Sequence, residues 1–133
     1  MSLKLIVSAA ALIGAAAAAG AAMAAPVDGA ATFAENCSAC HQPQGQGVPG
    51  AFPKLAASPV VQGDPANLGW ILTHGRGGMP NFSEDLSDDQ IAAALTYIRS
   101  SWGNAAPPVD AALVKAQRGA PKPVDTGAGL PFH

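Results

Sequence analysis

Cys37-Ser38-Ala39-Cys40-His41 sets two thiols three positions apart and an imidazole directly after the second. On one helical turn, thiols at that spacing can add to the two vinyl groups of a single porphyrin. The adjacent histidine then projects toward the iron from the proximal side, and Cys-x-x-Cys-His is the pattern of covalent c-type haem attachment. Two rival chemistries use a cysteine pair of this kind. A dithiol redox centre wants a strand before the pair and a helix after it, whereas residues 29–39 read as helix and residues 42–50 as glycine- and proline-rich loop. Zinc needs three or four ligands, and neither His74 nor His133 has a second cysteine pair nearby.

A haem iron held by His41 has a second axial position. Beyond the first 25 residues the chain has a single methionine, Met79, in Gly75-Arg76-Gly77-Gly78-Met79-Pro80-Asn81-Phe82. A lone methionine commonly fills a core gap. Between flexible glycines and a proline, however, it is poorly placed for a helix interior and well placed to approach a ligand from a loop. His74 is the other candidate, and an open or water-bound iron is the third. With His41 and Met79 both on the iron, no site is left for oxygen or substrate, and the chemistry reduces to outer-sphere Fe(III)/Fe(II) cycling at a raised potential. With Met79 off the iron, the alternative is a haem peroxidase or ligand sensor.

The Cys37-to-His41 pentad together with Met79-Pro80-Asn81-Phe82 resembles a class I cytochrome c of the bacterial periplasmic type. Phe33 resembles the aromatic of that family's N-terminal helix, Gly29 its small crossing residue and Tyr97 its C-terminal helix tyrosine. Pro53-Lys54-Leu55 resembles the family's Pro-x-Leu, which implies that the Pro53 carbonyl accepts the His41 Nδ1 hydrogen and that Leu55 lies against the haem face. Phe52-Pro53-Lys54-Leu55-Ala56, with Leu86-Ser87-Asp88, Tyr97-Ile98-Arg99 and Ser101-Trp102-Gly103-Asn104, is similar to the cytochrome domains of periplasmic dehydrogenases and some copper nitrite reductases. The resemblance covers residues 28–104. It implies an all-α class I cytochrome c fold, three to four helices around one haem c attached by two thioether bonds. It also implies an electron carrier rather than an enzyme, passing electrons between a dehydrogenase or respiratory donor and a terminal oxidase or reductase, alone or as a subunit. One departure is Ala94, where the family has a large apolar residue; Leu95 and Ile98 are the candidates to replace its packing, with a closer helix crossing at Gly29.

The elements that must position these residues are read from pattern and composition. The chain has 133 residues, enough for one domain, and a net charge of -2, which excludes a basic nucleic-acid binder. Residues 1–24 combine a short positive start, an apolar alanine-rich run and Ala22-Met23-Ala24. That is the layout of a cleaved signal peptide, which places the protein in the periplasm with no stable membrane insertion afterwards. A retained anchor is the rival reading. The remainder of the chain has few large apolar residues, and so thin a core asks for a cofactor to complete it.

Residues 25–104 form the expected cytochrome domain. Helices are expected over residues 27–39, over residues 65–74 behind an Asp64 cap, and over residues 88–100 behind a Ser87/Gln90 capping box. Trp102 would close the bottom of the fold, Arg76 is a candidate to lie near a haem propionate, and Trp70 is a candidate either for a propionate or for plain core packing. Gln46, Val48, Pro49, Gly77, Gly78 and Pro80 would rim the exposed haem edge where a redox partner docks. Glu84, Asp85, Asp88 and Asp89 form an acidic patch beyond Met79. Residues 105–133, rich in proline, read as a tail with room for a short helix over residues 111–118, either solvated or laid along a partner or the cytochrome body.

Overall fold

Five of the six helical segments among the described residues begin at a side chain that satisfies the first free N–H groups. In a computed structural model, which describes residues 25–123, Asp28 accepts hydrogen bonds from Ala30 and Ala31 to open α1 (Gly29–Asn36). Ser58 opens α3 (Pro59–Gln62), and Asp64 with Pro65 opens α4 (Pro65–His74). Ser87 and Gln90 form a reciprocal capping box at the start of α5 (Asp88–Arg99), and Asp110 caps α6 (Ala111–Arg118). The expected signal segment, residues 1–24, and the end of the tail from residue 124, His133 included, lie outside the described residues.

The single helix expected over residues 27–39 is two. α1 ends at Asn36; Cys37 takes φ −122°, and α2 (Ser38–His41) comes next as a separate turn. The Cys37 carbonyl accepts from both the Cys40 and His41 N–H groups, so the break leaves the motif on its own tightly closed turn. The fold is all-α: six helical segments, two of them four-residue turns, with no strand among the described residues. Isolated bridges between Val48 and Phe52 and between Arg76 and Met79 close two of the loops.

α5 is the spine. On one side α1 crosses it so closely that a Cβ on Gly29 would lie 2.1 Å from the Ala93 carbonyl oxygen. Phe33, Cys37, Val61 and Ile98 are buried together on this side. Trp102 closes it, with its ring centroid 4.9 Å from that of Phe33 and 5.3 Å from that of Tyr97, edge-on to the latter. On the other side Leu95 and Ile91 join Leu68, Ile71, Leu72 and Leu86 in a second cluster. Of the two residues expected to compensate for Ala94, Ile98 therefore packs with Phe33, while Leu95 belongs to the α4 side. Ala94 itself is buried, and the absent Cβ at Gly29 supplies the close approach.

Of the courses open to the tail, residues 105–120 take the one along the cytochrome body. Arg99, 2% exposed, donates from Nε to the Pro107 carbonyl and from Nη1 to the Val61 and Gly63 carbonyls. The Thr96 hydroxyl both donates to the Val109 carbonyl and accepts from the Val109 N–H. Val109 and Val114 are buried in the second cluster, which draws α6 against α4 and α5. Prolines in this segment cost little, because α5 side chains satisfy the carbonyls that a helix or sheet would otherwise take.

Replacing Gly29 by alanine should destabilise the holoprotein by about 1–3 kcal/mol, since backbone and not a flexible side chain must yield. The same change at Gly119, which has open space around it, should stay within about 0.5 kcal/mol. Urea unfolding of the two variants measures the difference, and equal midpoints would contradict the close crossing.

Candidate functional site

α2 presents its three chemical groups differently. Cys37 is buried with Phe33, Val61 and Ile98, Cys40 is exposed, and both are free thiols. Burial, and secondarily the neighbouring Cys40, push the Cys37 thiol up to about 11. A dithiol redox centre works the opposite way, through a thiol made more acidic. This pair also has a helix before it and a loop after it, so the redox reading lacks its scaffold. Among the described residues no three His, Cys, Asp or Glu side chains converge as a zinc site requires.

His41 is buried, and its Nδ1 lies 2.9 Å from the Pro53 carbonyl oxygen. A carbonyl can only accept, so Nδ1 carries the hydrogen and Nε2 keeps a lone pair for a metal. Pro53 is held there by a glycine-dependent loop. The His41 carbonyl accepts from Gly47, and the Gly45 carbonyl accepts from both Leu55 and Ala56. Gly47 has φ +64°, and a Cβ on it would meet the Phe52 carbonyl oxygen at 2.5 Å. At Gly45 a Cβ would strike the Trp102 ring, also at 2.5 Å. Leu55 is half-buried against the Phe33 cluster. Asn104 completes the frame: its Nδ2 donates to the Leu55 and Ile98 carbonyls and its Oδ1 accepts from the Ser58 N–H. Two free thiols on one turn beside an imidazole with an available Nε2 are the donors that a covalent haem requires, and the residues present fit the group.

Met79 lies in the loop between α4 and α5. The loop leaves α4 at Gly75, with φ +76° and no room for a Cβ, which would lie 2.7 Å from the Met79 carbonyl oxygen. Arg76 and Met79 exchange backbone hydrogen bonds of 3.1 and 2.9 Å, and the Phe82 N–H returns to the Leu72 carbonyl at 2.8 Å. Met79 is half-buried against the second cluster. His74, the other axial candidate, is exposed and stacks on Trp70 with centroids 4.4 Å apart. Of the two placements open to Trp70, core packing is the one observed: it packs against the second cluster, and its indole Nε1 donates to the Ala120 carbonyl at 3.2 Å. Arg76 is half-buried in the loop.

All six residues expected at the exposed edge (Gln46, Val48, Pro49, Gly77, Gly78 and Pro80) are solvent-exposed. Phe52, not among them, is 41% exposed beside Val48 at 37%. Gln46, Val48, Pro49, Phe52 and Lys54 line a shallow concavity of about 350 Å³. In the acidic patch Asp88 pairs with Arg118 at 2.6 Å, leaving Glu84, Asp85 and Asp89 exposed. Arg99 and Arg118 give no signal in the sequence, because the groups they serve are mostly main-chain carbonyls and carry no residue signature.

A family model described as cytochrome C oxidase, cbb3-type, subunit III matches residues 24–98. The chain is similar to the cytochrome c subunit of alcohol dehydrogenase (quinone) from Gluconacetobacter polyoxogenes, 40% identical over 78% of this chain and 24% of that one. It is 37% identical to cytochrome c-552 of Thermus thermophilus, over 61% of this chain and 64% of the relative. The gluconate 2-dehydrogenase cytochrome c subunit of Pantoea cypripedii is 32% identical over 59% of this chain and 21% of its own length. The chain therefore spans about a quarter of the alcohol dehydrogenase subunit it matches.

Alanine at Gly47 must push away the strand of loop that carries Pro53. In the holoprotein this should speed exchange of the His41 Nδ1 hydrogen by about tenfold or more relative to alanine at Gly50, which shares the positive φ but has open space. Proton NMR of the ring hydrogen measures it, and equal rates would show that the glycine does not hold the contact.

Proposed function

The chain belongs to the c-type cytochrome family whose model is described as cytochrome C oxidase, cbb3-type, subunit III, and from that membership we propose a periplasmic one-electron carrier with Met79 as its distal iron ligand. The coarser role is that of the family: an electron-transfer protein, not a catalytic domain, with a site for covalent haem c at Cys37, Cys40 and His41. The observation that carries the proposal is the His41 ring, fixed through Nδ1 on the same turn as two free thiols.

Bound there, the haem supplies reversible Fe(III)/Fe(II) exchange, and imidazole–thioether ligation raises its potential. The protein's part is positional. Cys37 and Cys40 would tether the ring, Pro53 orients His41, Leu55 packs beside the proximal cluster, and the Gly75–Met79 turn would offer the thioether. A loop closed by paired Arg76 and Met79 backbone bonds changes little between oxidation states, which keeps reorganisation small. Arg76 is assigned to a haem propionate.

Electrons come from a periplasmic dehydrogenase or respiratory donor and leave to a terminal oxidase or reductase, with the protein acting alone or as the cytochrome subunit of a complex. The names of the relatives, subunits of alcohol and gluconate dehydrogenases among them, support a dehydrogenase as donor. The docking surface is the weakly charged rim of Val48, Pro49, Phe52, Gly77, Gly78 and Pro80, suited to a small transient interface. Glu84, Asp85 and Asp89 steer a partner with a basic rim. Residues 1–24 direct export and are removed, and residues 25–104, with α6 packed against them, form the cytochrome domain. Among the described residues no helix is long and apolar enough to cross a membrane.

Visible spectra of purified holoprotein in both oxidation states test this reading. A low-spin haem with a weak sulfur-to-iron band in the far red is expected. Met79→Ala should abolish that band and lower the potential by ~0.1–0.2 V, a fraction of the ~0.8 V range that axial ligands command. A high-spin wild-type spectrum without the band would instead favour a peroxidase or sensor with an open distal position.

A further inference from the structure

The Met79 loop is held from two sides, and only one of them is the helix it leaves. On the α4 side the Phe82 N–H donates to the Leu72 carbonyl and the Ser83 hydroxyl to the Thr73 carbonyl. On the other side stands Arg118, the last residue of α6. Its Nε donates to Asp88 Oδ1 at 2.6 Å, its Nη1 to the Ser83 carbonyl at 2.6 Å and its Nη2 to the Leu86 carbonyl at 3.0 Å. Every guanidinium nitrogen therefore has a different acceptor, and all three acceptors lie within residues 83–88, where the Met79 loop turns into α5. A planar, permanently charged fork can serve three such acceptors at once, which an ammonium on a flexible stem cannot do in the same geometry.

Arg118 can act as an anchor only if α6 is itself fixed. Val114 is fully buried. Gly69 of α4 lets α6 approach closely, since a Cβ there would lie 3.1 Å from Gln117 Cγ and 3.3 Å from Leu113 Cδ2. Trp70 holds the chain just beyond the helix through the Ala120 carbonyl. Met79, Trp70 and Leu113 all pack against the same buried cluster. The loop, α4 and α6 thus share one body of side chains, and Arg118 fastens the loop's far end to it.

We propose that α6, through Arg118, is a positioning element for Met79, holding the loop in the conformation that keeps the thioether directed at the iron. The proposal rests on the reading of Met79 as axial ligand. A loop that opens a fraction of the time exposes the iron to an external ligand, and the apparent affinity for that ligand rises in proportion to the open fraction. Removing three charge-assisted hydrogen bonds from one end of the loop should raise that fraction.

The probe is imidazole, titrated against oxidised holoprotein and followed in the visible spectrum. Arg118→Ala should bind imidazole about tenfold more tightly than the wild type or better. Arg118→Lys, which keeps the charge opposite Asp88 but not the fork, should fall between. Gly29→Ala, which strains the α1–α5 crossing without touching any Arg118 acceptor, should leave imidazole affinity unchanged, separating loop positioning from general destabilisation. Amide exchange at Met79 and Phe82 gives a second readout that needs no iron ligand exchange, and Arg118→Ala should accelerate both. Met79→Ala should bind imidazole most tightly of all and make a second change at Arg118 silent. If Arg118→Ala leaves imidazole affinity and loop exchange at wild-type levels while Met79→Ala binds tightly, the positioning role is overturned and the ligand assignment stands. If Met79→Ala binds imidazole no more tightly than the wild type, the ligand assignment fails and the proposal falls with it.

Discussion

An imidazole on a single methylene can rotate, and it meets a metal in one orientation only when its other nitrogen is held. In this protein the holder is a main-chain carbonyl, that of Pro53, 2.9 Å from His41 Nδ1. That contact joins α2 to a loop with little hydrophobic packing of its own. The loop's course depends on Gly45 and Gly47, both at positive φ and both without space for a side chain. It depends equally on Asn104, which binds Leu55 and Ser58 from beyond the end of α5. Disturbing Trp102, against which Gly45 is pressed, would reach His41 through the same few bonds.

α5 contributes side chains to both buried clusters. Ile98 faces the α1 aromatics and buried Cys37; Ile91 and Leu95 face α4, α6 and the cluster against which Met79 packs. The capping box at Ser87 fixes where the helix begins, and hence where the Met79 loop must end. Arg99 at its other end binds three carbonyls from two segments, so both termini of α5 are used to hold other parts of the chain. A small chain with few large apolar side chains substitutes polar side chain-to-carbonyl ties for much of a core.

The features legible in the sequence are those with a local signature. The cysteine–histidine pentad, the Asp64-Pro65 start and Gly75 stop of α4, and the Ser87/Gln90 box of α5 all depend on neighbouring residues, and the all-α class comes from them. α3 is not legible, because a four-residue turn has no period to detect. The break at Cys37 is hidden for a related reason: helical spacing of Phe33 and Cys37 continues across it. The extent of α6 is legible from its flanking proline and glycine, but its burial is not. Val114 and Leu113 are the only large apolar residues in its eight positions, and the groups that Trp70 and two of the Arg118 nitrogens reach are carbonyls, which any residue type can supply.

Every role assigned to these residues presupposes that Cys37, Cys40 and His41 hold a haem, with the two cysteines bound to it covalently. The most direct test is the intact mass of the protein under denaturing conditions, made in a host able to attach haem and extracted with acidified acetone. One haem should be retained by the chain, and none when both cysteines are replaced by serine. A haem-free chain lighter by two hydrogens than the dithiol form would mean that the cysteines form a disulfide, and would contradict covalent attachment.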